Sequence, residues 1–337
     1  RDFTTGLTNP KASTATDPYG PGTPVASLLG ANQPELRGVA PAVKLVNLRV
    51  LNGEGGGHTS HVINAVQWAV ANRAAYGIDV INLSLGHPIY EPAASDPLVQ
   101  AVEAAVRAGI VVVTSAGNYG VNTFTGQPGY AGISSPGNAP SAITVGAVRT
   151  ADTTTRTDDL VADYSSRGPT WYDAYAKPDV VAPGHRLMGK GISGQALFSQ
   201  LPTLQLPGND DRTYLKLSGT SMAAPVVSGS VALVIEATRA AFNGAKPTPN
   251  AVKAMLMRSA FPLSDASSQP YDVLTQGAGA LNTTGALALA AVTNPTAAAN
   301  SHWMTSSVPN STAIDGQNIV WGDNIVWGDN IVWGDAL

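Results

Sequence analysis

The residues most able to do chemistry lie in Ser218-Gly219-Thr220-Ser221-Met222-Ala223-Ala224-Pro225, at the head of a long apolar segment that runs to Ala240. Small and apolar residues on nearly every side make Thr220–Ala240 a helix buried almost all round. Ser221 then falls in its first turn, where unpaired backbone N–H groups and the helix dipole favour a developing anion. A nucleophilic serine is well placed there. A serine that merely caps a core helix would look the same in isolation.

The elements that must position this serine can be read from hydrophobic periodicity. Lys44–Val50 alternates polar and apolar residues as a strand does, and His61–Ala75 then sets Val62, Val66, Ala69 and Val70 on one helical face. Val80–Leu83 predicts a strand. Pro97–Ala108 predicts a helix with Leu98, Val102, Ala105 and Val106 inward, stopped by Gly109. Ile110–Val113 and Ala142–Val148 predict two further strands. The alternation of strand and helix predicts a doubly wound, mostly parallel α/β sheet with helices on both faces. Ligands of such sheets bind beyond the carboxyl ends of the strands, which directs attention to Ser84-Leu85-Gly86 and Thr114-Ser115-Ala116-Gly117-Asn118.

Composition narrows the function classes. Only 12% of the 337 residues are charged, against about 25% in an average soluble domain, and the net charge is −4. Neither nucleic acid nor an acidic membrane is implied as a partner. The absence of cysteine removes disulfides, thiolate metal sites and cysteine nucleophiles. No run of about 18 apolar residues predicts a membrane span. The chain begins at Arg1 without a signal-like segment, and reads as a piece of a longer precursor.

The octapeptide around Ser221 closely resembles the nucleophile motif of the subtilisin-like serine proteases, or subtilases. The resemblance extends in order over residues 1–290. Ala116-Gly117-Asn118 is similar to the family's oxyanion segment, which implies that the Asn118 side chain donates to a tetrahedral intermediate. Gly55-Gly56-Gly57 and Ser84-Leu85-Gly86 resemble the two edges that hold an extended substrate through main-chain hydrogen bonds. Ser165–Pro169, Lys177–Gly184 and Gly277-Ala278-Gly279 are similar to further landmarks.

Two departures stand out. Where the family carries His-Gly-Thr-His-Val, with the first His as general base, this chain reads Pro21-Gly22-Thr23-Pro24-Val25. Proline offers no proton acceptor, so Ser221 lacks a base at the expected place. Proline is nonetheless tolerated in a first helical turn, so the local shape can persist. The Asp that orients that His normally stands on the family's first strand, upstream of the point where this chain begins, so the resemblance implies a sheet missing that strand. Neither Asp2 nor Asp17 has the sequence context to replace it. The five histidines, at 58, 61, 87, 185 and 302, are weak substitutes.

The resemblance therefore implies a serine endopeptidase that cuts extended polypeptide through an acyl-enzyme, inactive or strongly impaired in this chain. In the known subtilisin case, loss of the triad's serine or histidine alone costs about a millionfold in turnover. The alternative is a pseudoprotease or peptide-binding remnant. No cofactor is required. The family allows structural calcium, yet no loop commits ligands, so no metal residue is assigned and Asp179 is a weak candidate. A secreted, bacterial monomer is implied by the same resemblance. Residues 1–290 form the expected catalytic domain. Residues 291–337 read as a linker and a tail in which Asn-Ile-Val-Trp-Gly-Asp occurs three times, with Trp321, Trp327 and Trp333 six apart. The tail either pairs with the body or stays mobile, or else stacks on sugars.

Overall fold

A computed structural model describes residues 1–4, 16–208, 213–298, 301–314 and 316–321. The second and third tryptophans of the repeat, Trp327 and Trp333, lie outside the described residues.

The chain opens with α1 (Gly22–Gly30) and the short hairpin β1 (Asn32–Gln33) and β2 (Leu36–Arg37). Helices α2 (Thr59–Ala71) and α3 (Arg73–Tyr76) follow, then β3 (Val80–Leu83), α4 (Pro97–Arg107), β4 (Val111–Ser115) and β5 (Ile143–Arg149). Next come β6 (Leu160–Val161), β7 (Val180–Pro183), β8 (Leu187–Gly191) and α5 (Ala196–Gln200). Strands β9 (Gln205–Pro207) and β10 (Thr213–Leu217) lead into α6 (Thr220–Ala241). Helices α7 (Pro249–Ser259), α8 (Val273–Gln276) and α9 (Thr283–Ala290) precede the hairpin β11 (Ser311–Ile314) and β12 (Gln317–Val320).

The central sheet runs β3-β4-β5 in parallel, with β7 parallel and β6 antiparallel to β5. Strands β4 and β5 are buried on both faces, which explains their mostly apolar, valine-rich runs. On β4, Val111 and Val113 face a core built with α6, α7 and α9, while Val112 faces a second core built with α2 and α4. The two-residue period of a strand thus splits one tripeptide between two cores. Helix α6 is long and apolar enough to cross a membrane by length and composition, but it is the central core helix, with Val227, Val231 and Val234 fully buried.

The doubly wound α/β expectation holds, and its strands and helices fall within a few residues of their predicted bounds. Lys44–Val50 differs. Only Arg49 bridges, in parallel, to Asp2, and the free edge of β3 carries no ladder among the described residues. Alternation marks a chain able to pair, but a strand also needs a partner beside it.

The segment after residue 290 also packs more closely than a surface linker would. Met304 and Val308 lie against the α6 core, and Trp321 of the first repeat is buried there, its Nε1–H donating to Thr312 Oγ1 at 2.6 Å.

Candidate active site

Ser221 sits on a turn that is fixed from several sides. Strand β10 delivers the chain to Gly219, which precedes α6 with φ +154°, a conformation that favours glycine. Gly219 N–H donates to Gly184 O at 2.9 Å, and Tyr164 Oη donates to the same oxygen at 3.0 Å. Burial pushes the Tyr164 phenol up to about 12, so it remains a donor at any ordinary pH. Arg186 N–H donates to Ser218 Oγ at 2.9 Å.

The first turn of α6 leaves four N–H groups without intrahelical acceptors. Three are taken up: Gly219 N–H donates to Gly184 O at 2.9 Å, Thr220 N–H to Asn118 Oδ1 at 3.0 Å, and Met222 N–H to Gly219 O at 3.0 Å. The N–H of Ser221 has no acceptor among the described residues. It remains available to an anion formed at Ser221.

Asn118 is oriented by the same turn. Its Oδ1 accepts from both Thr220 N–H and Thr220 Oγ1, the latter at 3.1 Å. With the oxygen so engaged, the carboxamide directs its Nδ2 donors the other way, beside Gly219, whose added Cβ would come within 3.5 Å of Nδ2. Gly117 N–H donates to Thr220 Oγ1 at 3.1 Å, closing the link between the end of β4 and the head of α6. Ser221 N–H and Asn118 Nδ2 are thereby two donors free to stabilise an oxyanion.

Beside Ser221 lies a cavity of about 290 Å³ lined by Leu85, Gly86, Ser115, Gly117, Asn118, Tyr119, Ser134, Thr220 and Ser221. No acidic or basic side chain lines it. Sequence reasoning assigned Leu85, Gly86, Gly117, Asn118 and Ser221 to the site, held Ser115 and Thr220 within the segments it singled out without giving them a role, and passed over Tyr119 and Ser134. Tyr119 and Thr220 are chain neighbours of Asn118 and Ser221, which was the available signal. Ser134 carried none. Ser84 joins through a hydrogen bond from its Oγ to Ser221 O at 2.8 Å, whereas Ala116 is buried beneath the cavity wall.

Gly55, Gly56 and Gly57 do not line that cavity. They form a tight loop in which Asn52 N–H donates to Gly56 O, and Gly55 lies flat under the ring of Tyr19, where a Cβ would come within 2.5 Å of the ring. Pro21 stands two residues further on, at the head of α1, with φ −78° and ψ −26°. Asp17 is occupied with capping: Oδ1 accepts from Gly20 N–H at 3.0 Å, and Oδ2 from Thr23 N–H at 2.6 Å and Thr23 Oγ1 at 2.8 Å. Pro24 is buried against Gly189.

Among the described residues no histidine hydrogen-bonds Ser221. His58 and His61 meet edge to face at 5.1 Å at the head of α2, and His87 stacks on Tyr90. His185 stacks on Tyr164, and burial lowers its pKa.

Asp179 does not fit a cation. Its Oδ2 is 2.8 Å from Lys177 Nζ and its Oδ1 is 3.0 Å from Lys253 Nζ, all of them buried. Among the described residues no group of three or more His, Asp or Glu could hold a metal ion.

Ser221 and Asn118 thus stand together at the carboxyl end of a doubly wound sheet, and comparison with known proteins gives the family. The profile described as the Subtilase family matches residues 7–300, so the chain belongs to the subtilase family. It is 36% identical over 263 residues to Serine protease AprX of Bacillus subtilis, covering 77% of this chain and 54% of that protein. It is also 36% identical over 222 residues to Subtilisin DY of Bacillus licheniformis, covering 65% of each. Among solved structures it resembles the prenylagaramide maturation protease PagA (TM-score 0.60, 25% identity, 83% of this chain and 84% of that one). It likewise resembles Sphericase (TM-score 0.54, 29% identity, 68% and 67%). The chain spans about half to two-thirds of the length of these curated relatives.

Proposed function

We propose that this chain is a serine endopeptidase of the subtilase line in which the machinery for holding an extended polypeptide and an acyl oxyanion is kept, while the machinery for moving the proton is reduced. Ser221 is the nucleophile, and its own N–H together with Asn118 Nδ2 forms the oxyanion site. Leu85, Gly86 and Gly117 line the pocket for one substrate side chain, and Ser84–Gly86 with Gly55–Gly57 form the two edges for the main chain. Pro21 marks the place of the absent base. An extracellular setting belongs to the same proposal, on the strength of the Bacillus relatives.

The observation that carries this reading is the orientation of Asn118. A carboxamide whose oxygen is doubly engaged by Thr220 presents its donors beside an unpartnered Ser221 N–H. A module that only bound peptide would need neither donor. Proline at both positions 21 and 24 favours the second reading, peptide binding without cleavage, because Ser221 Oγ then has no acceptor for its proton.

The test is the burst of product from a chromogenic peptide ester, measured for the chain, for Ser221→Ala, and for a Pro21→His/Pro24→His double variant. A weak burst from the chain that Ser221→Ala abolishes, and that the double variant raises, supports an impaired peptidase. Absence of a burst in all three, with peptide still bound, supports the binding reading.

A further inference from the structure

The surface beside the Ser221 cavity carries a group of solvent-facing aromatic rings that neither the core nor the oxyanion turn uses. Tyr119 lines the cavity and is still 58% exposed. From it the chain runs into a loop that returns on itself, with Asn122 N–H donating to Gln127 O and Gly129 N–H to Gly120 O. Phe124 at its tip is 98% exposed and Tyr130 on its return is 50% exposed.

A second loop rises from the same anchor. Ala131 N–H donates to Gly168 O, Gly132 N–H to Arg167 O, and the Arg167 guanidinium to Gly120 O, which fixes the base of the first loop against Arg167–Gly168. Residues 169–176 continue directly from Gly168 and are closed by Thr170 N–H on Tyr175 O and Ala174 N–H on Thr170 O. Trp171 and Tyr172 on this loop are 58% and 59% exposed. Tyr172 has φ +68°, a region that a bulky side chain enters only where its surroundings impose it, and such outliers concentrate at functional surfaces.

The chemistry of the two loops is uniform. Residues 119–132 contain no acidic or basic residue, and the single charge in 169–176, Asp173, is engaged with Ala93 N–H at 2.8 Å. The nearest carboxylates are both engaged, Asp173 by Ala93 N–H and Asp272 by the Tyr130 hydroxyl, which donates to its Oδ2 at 2.6 Å. Large aromatics held out in water with so little free charge around them mark a recognition surface rather than a solubilising one. Tyr119 belongs both to the first loop and to the lining of the Ser221 cavity, so the occupant that fits is chain continuing from the residue held there.

Resting on the peptidase reading, we infer that Tyr119, Phe124, Tyr130, Trp171 and Tyr172 form an extension of the substrate groove that takes an uncharged, apolar or aromatic flank of the same polypeptide. Affinity is then set by residues well away from the bond at Ser221. It is insensitive to salt, because no ion pair takes part.

The experiment compares fluorescent peptides binding to the full chain: a core hexapeptide, and the same hexapeptide extended on either side by a Pro/Phe/Trp-containing segment or by a Ser/Gly segment. One apolar extension is expected to bind about tenfold more tightly than the core peptide, equally at low and high salt, with the Ser/Gly extension giving no gain. A Phe124→Ser/Trp171→Ser variant, altered only at exposed rings, is expected to bind the core peptide as the parent does and to lose the gain. Equal binding of apolar and Ser/Gly extensions, or a gain that survives in the variant, overturns the inference while leaving the peptidase reading intact. Binding of no peptide at all removes the groove itself, and the extension with it.

Discussion

Ser84 Oγ donates to the main-chain carbonyl of Ser221, and it does so where the helix cannot. The carbonyl of Ser221 should accept from the N–H four residues on, but that residue is Pro225, which has none. Ser84 supplies the missing donor from the end of β3. Asn82 Nδ2 donates to Ser84 Oγ at 2.9 Å, and Ser228 Oγ, two turns along α6, donates to Asn82 Oδ1 at 2.9 Å. One chain of hydrogen bonds thus locks the end of β3 to the helix that carries Ser221.

Ser84→Ala should therefore cost about 1–2 kcal/mol, the penalty of an unpaired, half-buried carbonyl. The same change in a Pro225→Ala background should cost clearly less, because alanine at that position restores the helical donor. Urea unfolding of the four proteins gives the coupling energy, expected at about 0.5 kcal/mol or more. Additive effects would mean that Ser84 does not replace the helix bond.

The buried cluster of Lys177, Asp179 and Lys253 makes an asymmetric prediction. Two ammonium groups share one carboxylate, and their remaining protons go to carbonyls: Lys177 Nζ to Ala142 O, and Lys253 Nζ to Pro140 O and Ala142 O. Asp179→Asn would leave two buried cations without a counter-charge, and should cost about 3–5 kcal/mol. Lys177→Met leaves a balanced pair and should cost about 1 kcal/mol or less, the more so because burial pulls the Lys177 ammonium down to about 7. Burial alone would raise the Asp179 carboxyl, but the two ammonium groups outweigh it and hold it below its usual value. A depressed carboxyl stabilises the fold above its unfolded pKa of about 4 and loses that contribution as pH falls through the folded value. Denaturant midpoints of the two variants, followed into acid, check both statements.

Asp159 should act in the opposite sense. Burial lifts its carboxyl to about 6, against the pull of Arg156, whose Nη1 lies 3.1 Å from Oδ2, while Oδ1 is buried without a partner. A raised carboxyl contributes stability below its unfolded pKa, and loses it as pH rises through the folded one. Stability should thus carry a falling component between pH of about 4 and about 6, and Asp159→Asn should remove it. Thermal unfolding of the two proteins across that range is the measurement. Parallel profiles would place the titration elsewhere.

Much of the sheet was legible because β4 and β5 are buried on both faces and are mostly apolar, Thr114, Ser115 and Thr144 excepted, and because α6 must be small and apolar to lie in the core. Ser221 and Asn118 were singled out by the motifs around them, since a serine at the head of a buried helix would look the same as a cap, and the structure brings the two side by side through Thr220. The strand expected at Lys44–Val50 pairs only at Arg49, with Asp2, among the described residues, and the presence of a longer partner is something no local pattern can report. Ser134 reaches the cavity across a turn, with Ser134 N–H donating to Ala116 O, and the link from Ser84 to Ser221 joins residues 137 apart. Contacts of that separation are products of topology and leave no periodic signature.

The wall of the cavity offers a last prediction, in which strain and crowding can be separated. Gly117 has φ +110°, and a Cβ there would come within 2.8 Å of Ser166 Oγ and 3.1 Å of Ser134 Oγ. Gly77 has φ +64° with nothing within 4 Å of such a Cβ. Gly77→Ala should cost only the backbone term, about 1–2 kcal/mol. Gly117→Ala should cost more, because Ser166 Oγ must move, and with it the 3.0 Å bond it accepts from Tyr119 N–H at the mouth of the cavity. Adding Ser166→Ala should recover part of that excess, since the clash goes and the strain stays. Unfolding free energies of Gly77→Ala, Gly117→Ala and Gly117→Ala/Ser166→Ala test this ordering. If the double variant is no more stable than Gly117→Ala, crowding by Ser166 is not what requires glycine at the end of β4.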